Sequence, residues 1–101
     1  MKKLQLTIYI NETDMSGDVP LHEILVRRLL HSEIAGATVL RGTMGYGRHG
    51  KVHRNRLFGV SDDRPIVVIA VDDEARIRKI LPEVKQLIRE GLVTLQEVDV
   101  L

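Results

Sequence analysis

The sequence predicts an α+β protein, a split βαβ sandwich with strand and helix order βαββαβ, in which four antiparallel strands carry two helices on one face. Three observations predict it. Leu4, Leu6, Ile8 and Ile10 alternate with polar or mixed residues at a period of two. Ile66 to Val71 is an unbroken apolar run. Two stretches, one behind Pro20 and one behind Asp73, repeat their apolar residues at the 3.6 period of a helix.

The first strand is the Leu4–Ile10 alternation, with one apolar face and one mixed face. Asn11 to Asp18 follows as a polar turn region carrying Glu12, Asp14, Gly17 and Asp18. Pro20 suits the first turn of a helix, where its missing N–H costs nothing. Ile24, Leu25 and Leu29 make that helix's stripe, widened by Val26, Leu30 and Ile34, and Gly36 is the expected left-handed C-cap. A second strand runs through Ala37, Thr38, Val39 and Leu40 into a glycine-rich stretch. Ile66–Val71 is apolar on both faces and is expected at the centre of the sheet with both sides covered. Asp72 or Asp73 caps the second helix, whose face is Ile77, Ile80, Leu81, Val84, Leu87 and Ile88. Pro82 withholds a donor from the carbonyl of Arg78, so a kink or two short helices are expected. The element ends at Gly91, and the last strand runs from Leu92 or Val93 to Val98. The helices cover one face only, so the open face is expected to pack against other copies of the chain.

At 101 residues the chain is long enough for a single domain, 1–101, and too short for two cores. Fifteen basic against 14 acidic residues leave a net charge of +1, and the aromatics are only Tyr9, Tyr46 and Phe58. Both facts disfavour nucleic acid as a partner. No stretch reaches the roughly 20 apolar residues of a membrane span. The absence of cysteine removes disulfides and thiolate chemistry, and a cytoplasmic protein without membrane insertion is expected.

The long connection between strands two and three carries the chemistry. GTMGYGRHG places Gly42, Gly45, Gly47 and Gly50 within nine residues, and Arg41, Arg48, Lys51, Arg54 and Arg56 surround them with no acid before Asp62. Backbone N–H groups and cations gathered in this way suit a phosphate, while a basic surface hairpin is the plainer reading. The stretch lacks the GK[ST] of a Walker loop and does not open a helix, so it is not a dinucleotide fingerprint. His49 and His53, with Asp62 and Asp63, would hold a metal only on a helix that the glycines disfavour; no metal is assigned. No hydroxyl sits in a nucleophile elbow, and no catalytic residue is assigned.

GTMGYGRHGKVH from Gly42 to His53, SDDRPIVV from Ser61 to Val68 and EGLVTLQEV from Glu90 to Val98 resemble, over nearly the whole chain, the nitrogen-regulatory PII-like superfamily, within it domain of unknown function 190, or uncharacterised protein family 0166. The resemblance implies a homotrimer of ferredoxin-like subunits with adenine nucleotides in the clefts between neighbours. One wall is then Gly45, Tyr46, Gly47, Arg48, His49 and Gly50, and the facing segment is Glu90, Gly91, Leu92, Val93 and Thr94. The glutamine of true PII proteins is His49 here, the stretch Arg48–Arg64 has no tyrosine to modify, and no Lys or Arg follows Arg89. The last departure favours AMP, ADP or cyclic AMP over ATP. The function implied is non-enzymatic signal transduction, with a partner protein contacted through the loop 48–64. A small-nucleotide hydrolase or transferase, and a structural or nucleic-acid-binding trimer, are the alternatives.

Overall fold

The computed structural model describes residues 1–47 and 64–101, together with the backbone of 52–54. Among the described residues the elements are, in chain order, β1 Lys2–Asn11, β2 Met15–Ser16, β3 Val19–Pro20, α1 Leu21–His31, β4 Ala37–Arg41, β5 Met44–Tyr46, β6 Val52–Arg54, β7 Pro65–Asp72, α2 Glu74–Leu87 and β8 Leu92–Asp99. The main sheet has the order β4-β7-β1-β8, with every neighbouring pair antiparallel. This is the expected ferredoxin-like α+β arrangement. Two short ribbons, β2-β3 and β5-β6, are added to it; the first turns at Gly17, whose φ of 61° a residue with a side chain rarely adopts.

Register explains the core. Leu4, Leu6, Ile8 and Ile10 of β1 and Ile66, Val68 and Ala70 of β7 point to one face and are buried, where they meet Leu21, Leu25 and Leu29 of α1 and Ile77, Ile80 and Val84 of α2. Leu81, Leu87 and Ile88 pack against this core from its margin. An ion pair between Arg28 and Glu83 joins the two helices at the surface.

Among the described residues, no helix covers the other face of the sheet. Its rows read Leu40–Val67–Tyr9–Leu92 and Thr38–Ile69–Thr7–Thr94 across β4, β7, β1 and β8. The first row is apolar from edge to edge, with Tyr9 44%, Leu40 50% and Leu92 57% exposed. In one copy, therefore, the expected two-sided covering of β7 is met on one side only.

Several local expectations are corrected. Helix α1 ends at His31, three residues before Ile34, and Gly36 is not its cap. The left-handed position is taken by Glu33, φ 61°. Its amide donates to the carbonyl of Leu30 (3.0 Å) and that of Ile34 to Leu29 (3.1 Å), the two bonds of a Schellman ending. Buried Ile34 thus closes the helix against Leu29 instead of extending it. Pro20 stands one position ahead of the helix, extended at φ −54° and ψ 136°. Pro82 lies inside one helix, α2, not between two: the buried Ile77, Ile80 and Val84 on either side of it hold the segment helical where one lost bond would otherwise interrupt it. That helix ends at Leu87, before Gly91. Asp73 stands at its N-cap without a capping side-chain bond; its Oδ1 instead takes the Lys3 ammonium at 2.6 Å.

Candidate functional site

The ends of four strands meet at one end of the sheet. Arg41 pairs with Ile66 across β4 and β7, Ile10 with Ile66 across β1 and β7, and Tyr9 with Leu92 across β1 and β8. The glycine-rich connection therefore leaves and returns beside the β1 terminus. Its stems are tied there: the Gly42 amide donates to the Pro65 carbonyl (2.7 Å), the Glu12 amide donates to the Arg64 carbonyl (2.7 Å), and the Glu12 carboxylate accepts from Arg41 at 2.5 Å. In the ribbon that follows, Met44, Gly45 and Tyr46 face Arg54, His53 and Val52. The plainer expectation of a hairpin is thus correct for its backbone, and it leaves Tyr46 76% exposed.

The glycines divide into two kinds. A Cβ at Gly42 would lie 2.5 Å from Pro65 Cγ, and one at Gly45 3.3 Å from the same atom, so both are explained by the close passage of the loop stems. A Cβ at Gly91 would come within 2.7 Å of the Tyr9 carbonyl oxygen and 3.0 Å of Ile88 Cγ2, so this glycine lets β8 start tight against β1. Gly47 meets nothing within 4 Å and has no positive φ. Among the described residues, nothing requires a glycine there.

Of the two predicted walls, Gly45, Tyr46 and Gly47 hang from the β4 edge, whereas Gly91, Leu92, Val93 and Thr94 begin β8 at the opposite edge. Three strand spacings separate the edge strands, about 14 Å at the usual interstrand distance. One chain does not bring the two walls together. Arg48, His49 and Gly50 lie outside the described residues, as do Asp62 and Asp63 and the side chain of His53. Among the described residues there is no group of three or more His, Asp or Glu arranged to hold a metal. No helix there is long and apolar enough to cross a membrane.

A site that sequence reasoning took for a plain cap lies at the far end of the sheet. Asp72 is 5% exposed and points to the core side of β7. Its Oδ1 accepts from the Asp73 amide (2.7 Å) and its Oδ2 from the Ala35 amide (2.9 Å), with Arg76 at 4.0 Å. The Asp73 bond, helped by the Ala35 bond and the positive charges of Arg76 and Lys3, holds the carboxyl below its ordinary value against the opposing effect of burial. The β7 alternation Ile66, Val68, Ala70, Asp72 already put this carboxylate on the buried face, a signal available without the structure. An open recess of about 500 Å³ beside it is lined by Lys3, Gln5, Val71, Asp72 and Val98. Both Asp72 oxygens and the Lys3 ammonium there are engaged within the chain.

The strand order, the pair of helices on one face and the glycine-rich hairpin standing on the sheet end are those of a PII-like fold. The family model of domain of unknown function 190 (DUF190), described as an uncharacterized ACR, matches residues 3–100. A UPF0166 protein of Aquifex aeolicus is 33% identical over 101 residues, 100% of this chain and 95% of its own length. Another, from Methanocaldococcus jannaschii, is 31% identical over 93 residues, 91% of this chain and 85% of its own. The chain belongs to this DUF190, or UPF0166, family. Among solved structures, CPII, a nitrogen regulatory PII-like protein from Thiomonas intermedia bound to ADP, AMP and bicarbonate, superposes with a TM-score of 0.71 at 18% identity, covering 99% of this chain and 96% of that one. CutA from Xylella fastidiosa superposes with a TM-score of 0.57 at 19% identity, covering 95% and 83%. At these identities the two superpositions speak for the fold.

Proposed function

We propose that this chain is a non-enzymatic regulatory module that assembles as a homotrimer, binds an adenine nucleotide in the clefts between neighbouring copies, and signals to a partner protein through the connection 48–64. The nucleotide is AMP, ADP or cyclic AMP in preference to ATP. One wall of each cleft is Gly45, Tyr46, Gly47, Arg48, His49 and Gly50; the other is Glu90, Gly91, Leu92, Val93 and Thr94 of the adjacent copy.

The observation that carries this reading is the separation of the two walls. They stand at one end of the sheet but on its opposite edge strands, so the β4 edge of one copy meets the β8 edge of the next only across an interface. The apolar row Leu40–Val67–Tyr9–Leu92 gives such an interface a hydrophobic surface to bury. Gly47, with no neighbour among the described residues to explain it, leaves room for close approach by a ligand, and the relative that binds ADP and AMP shares the fold.

Calorimetric titration of AMP, ADP, ATP and cyclic AMP into wild type and Arg48→Ala tests it. Loss of one charge-assisted phosphate contact should weaken binding by about 1.5–3 kcal/mol, roughly tenfold to over a hundredfold. Absence of binding by the wild type, or equal affinity of the Arg48→Ala variant, refutes the assignment.

A further inference from the structure

We propose that Arg41 is a second phosphate-binding residue of this site, and that Glu12 is the carboxylate a phosphate must displace from it. The inference rests on the nucleotide reading above and adds to it a residue pair outside both predicted walls.

The geometry is that of a clasp across the two loop stems. Arg41 is the last residue of β4, and its backbone is fixed by the neighbouring Gly42 bond to Pro65. Glu12 belongs to the other stem, because its amide donates to the Arg64 carbonyl at 2.7 Å. The turn that carries Glu12 is itself held, with the Asn11 amide donating to Asp14 Oδ2 at 2.9 Å. Between the stems, Arg41 Nη2 lies 2.5 Å from Glu12 Oε2.

The pair is asymmetric. The Glu12 side chain is 22% exposed and the Arg41 side chain 57%. The carboxylate is the shielded, anchored member, and the guanidinium faces water at the foot of the basic, glycine-rich ribbon. A guanidinium recognises carboxylate and phosphate through the same planar fork, and a phosphate of higher charge is the stronger acceptor. Glu12 thus occupies the position of an anionic ligand and, once displaced, repels one. Both effects set the affinity below what the ribbon's cations would otherwise give, and both grow with the ligand's charge.

The test is calorimetric titration of ADP, and of uncharged adenosine, into wild type, Glu12→Gln, Arg41→Gln and the double variant. ADP should bind Glu12→Gln about three- to tenfold more tightly than wild type and Arg41→Gln about three- to tenfold more weakly, the range of a partly exposed charge at a binding rim. The gain from Glu12→Gln should be smaller in the Arg41→Gln background than in wild type, because only the repulsion is left to relieve, and adenosine should not distinguish the four proteins. Unchanged ADP affinity in Glu12→Gln, or an equal gain for adenosine, overturns the proposal, because a mere loosening of the stems does not sense ligand charge. Should Glu12→Gln melt below the assay temperature, Glu12→Asp carries the test: it withdraws the carboxylate by one methylene, and a failure to gain ADP affinity again overturns the clasp. Wild-type protein that binds neither ligand removes the nucleotide reading itself, an outcome distinct from a wild type that binds ADP and a Glu12→Gln variant that gains nothing.

Discussion

Replacing Asp72 by Asn separates what its charge does from what its shape does. Two amides converge on its oxygens, Asp73 at 2.7 Å and Ala35 at 2.9 Å. The second bond ties the segment after α1 to the end of β7, 37 residues away. An asparagine keeps one acceptor and turns an NH2 toward the other amide, so one charge-assisted bond is lost and a buried donor is left facing a donor. With such bonds contributing about 1.5–3 kcal/mol and an unsatisfied buried group costing about 1–3 kcal/mol, the loss should be about 2–4 kcal/mol at pH 7. Urea unfolding at equal chain concentration measures it. The pH dependence follows from the direction of the shift. The folded carboxyl lies below its ordinary value of 3.8, so its stabilisation is fully present above that value and fades as pH falls through the folded value. The gap between wild type and Asp72→Asn should therefore narrow below about pH 4. A difference under about 1 kcal/mol at pH 7, or one that stays constant down to pH 2.5, would refute the reasoning.

Three further outcomes are expected. Glu33→Gly should stabilise the chain by about 0.5–1 kcal/mol, since relief of the left-handed strain of about 1–2 kcal/mol exceeds glycine's extra entropy cost; a lowered melting temperature contradicts the Schellman reading. Gly91→Ala should destabilise by about 1–3 kcal/mol, because the Tyr9 carbonyl cannot give way, while Gly47→Ala changes folding stability by less than about 0.5 kcal/mol. Equal effects at the two glycines in thermal melts would be inconsistent with the distances at Gly91. Light scattering should return about three times the 11.4 kDa chain mass, and a monomer would remove the shared cleft.

The strands and helix faces were legible because each buries one side at a fixed period. Leu4 to Ile10 and Ile66 to Val71 announced themselves by alternation and by an unbroken apolar run, and Ile77, Ile80 and Val84 by helical spacing. The misread end of α1 has a physical cause: the residue after a Schellman turn must be apolar to pack on the last turn, so Ile34 imitates a continued helix. The β2-β3 ribbon has two residues per strand, too few for any period to register. At the site, spacing marked the glycines but not their reasons. That Gly42 and Gly91 are needed inside the chain depends on Pro65 and the Tyr9 carbonyl, neighbours distant in sequence. The Glu12–Arg41 pair spans 29 positions between two ordinary-looking charges and left no local signal.

Because the glycine ribbon hangs from one edge strand and Gly91 starts the other, each binding position of the proposed assembly belongs to a seam between chains and not to a chain. Counting seams counts ligands. A closed ring has as many seams as subunits, whereas an open pair has one seam for two chains and strands half its residues without a counterpart. One nucleotide per polypeptide is thus a signature of closure, readable from stoichiometry alone. A ligand that occupies a seam also tightens it by mass action, so dilution and nucleotide concentration become interchangeable controls on assembly.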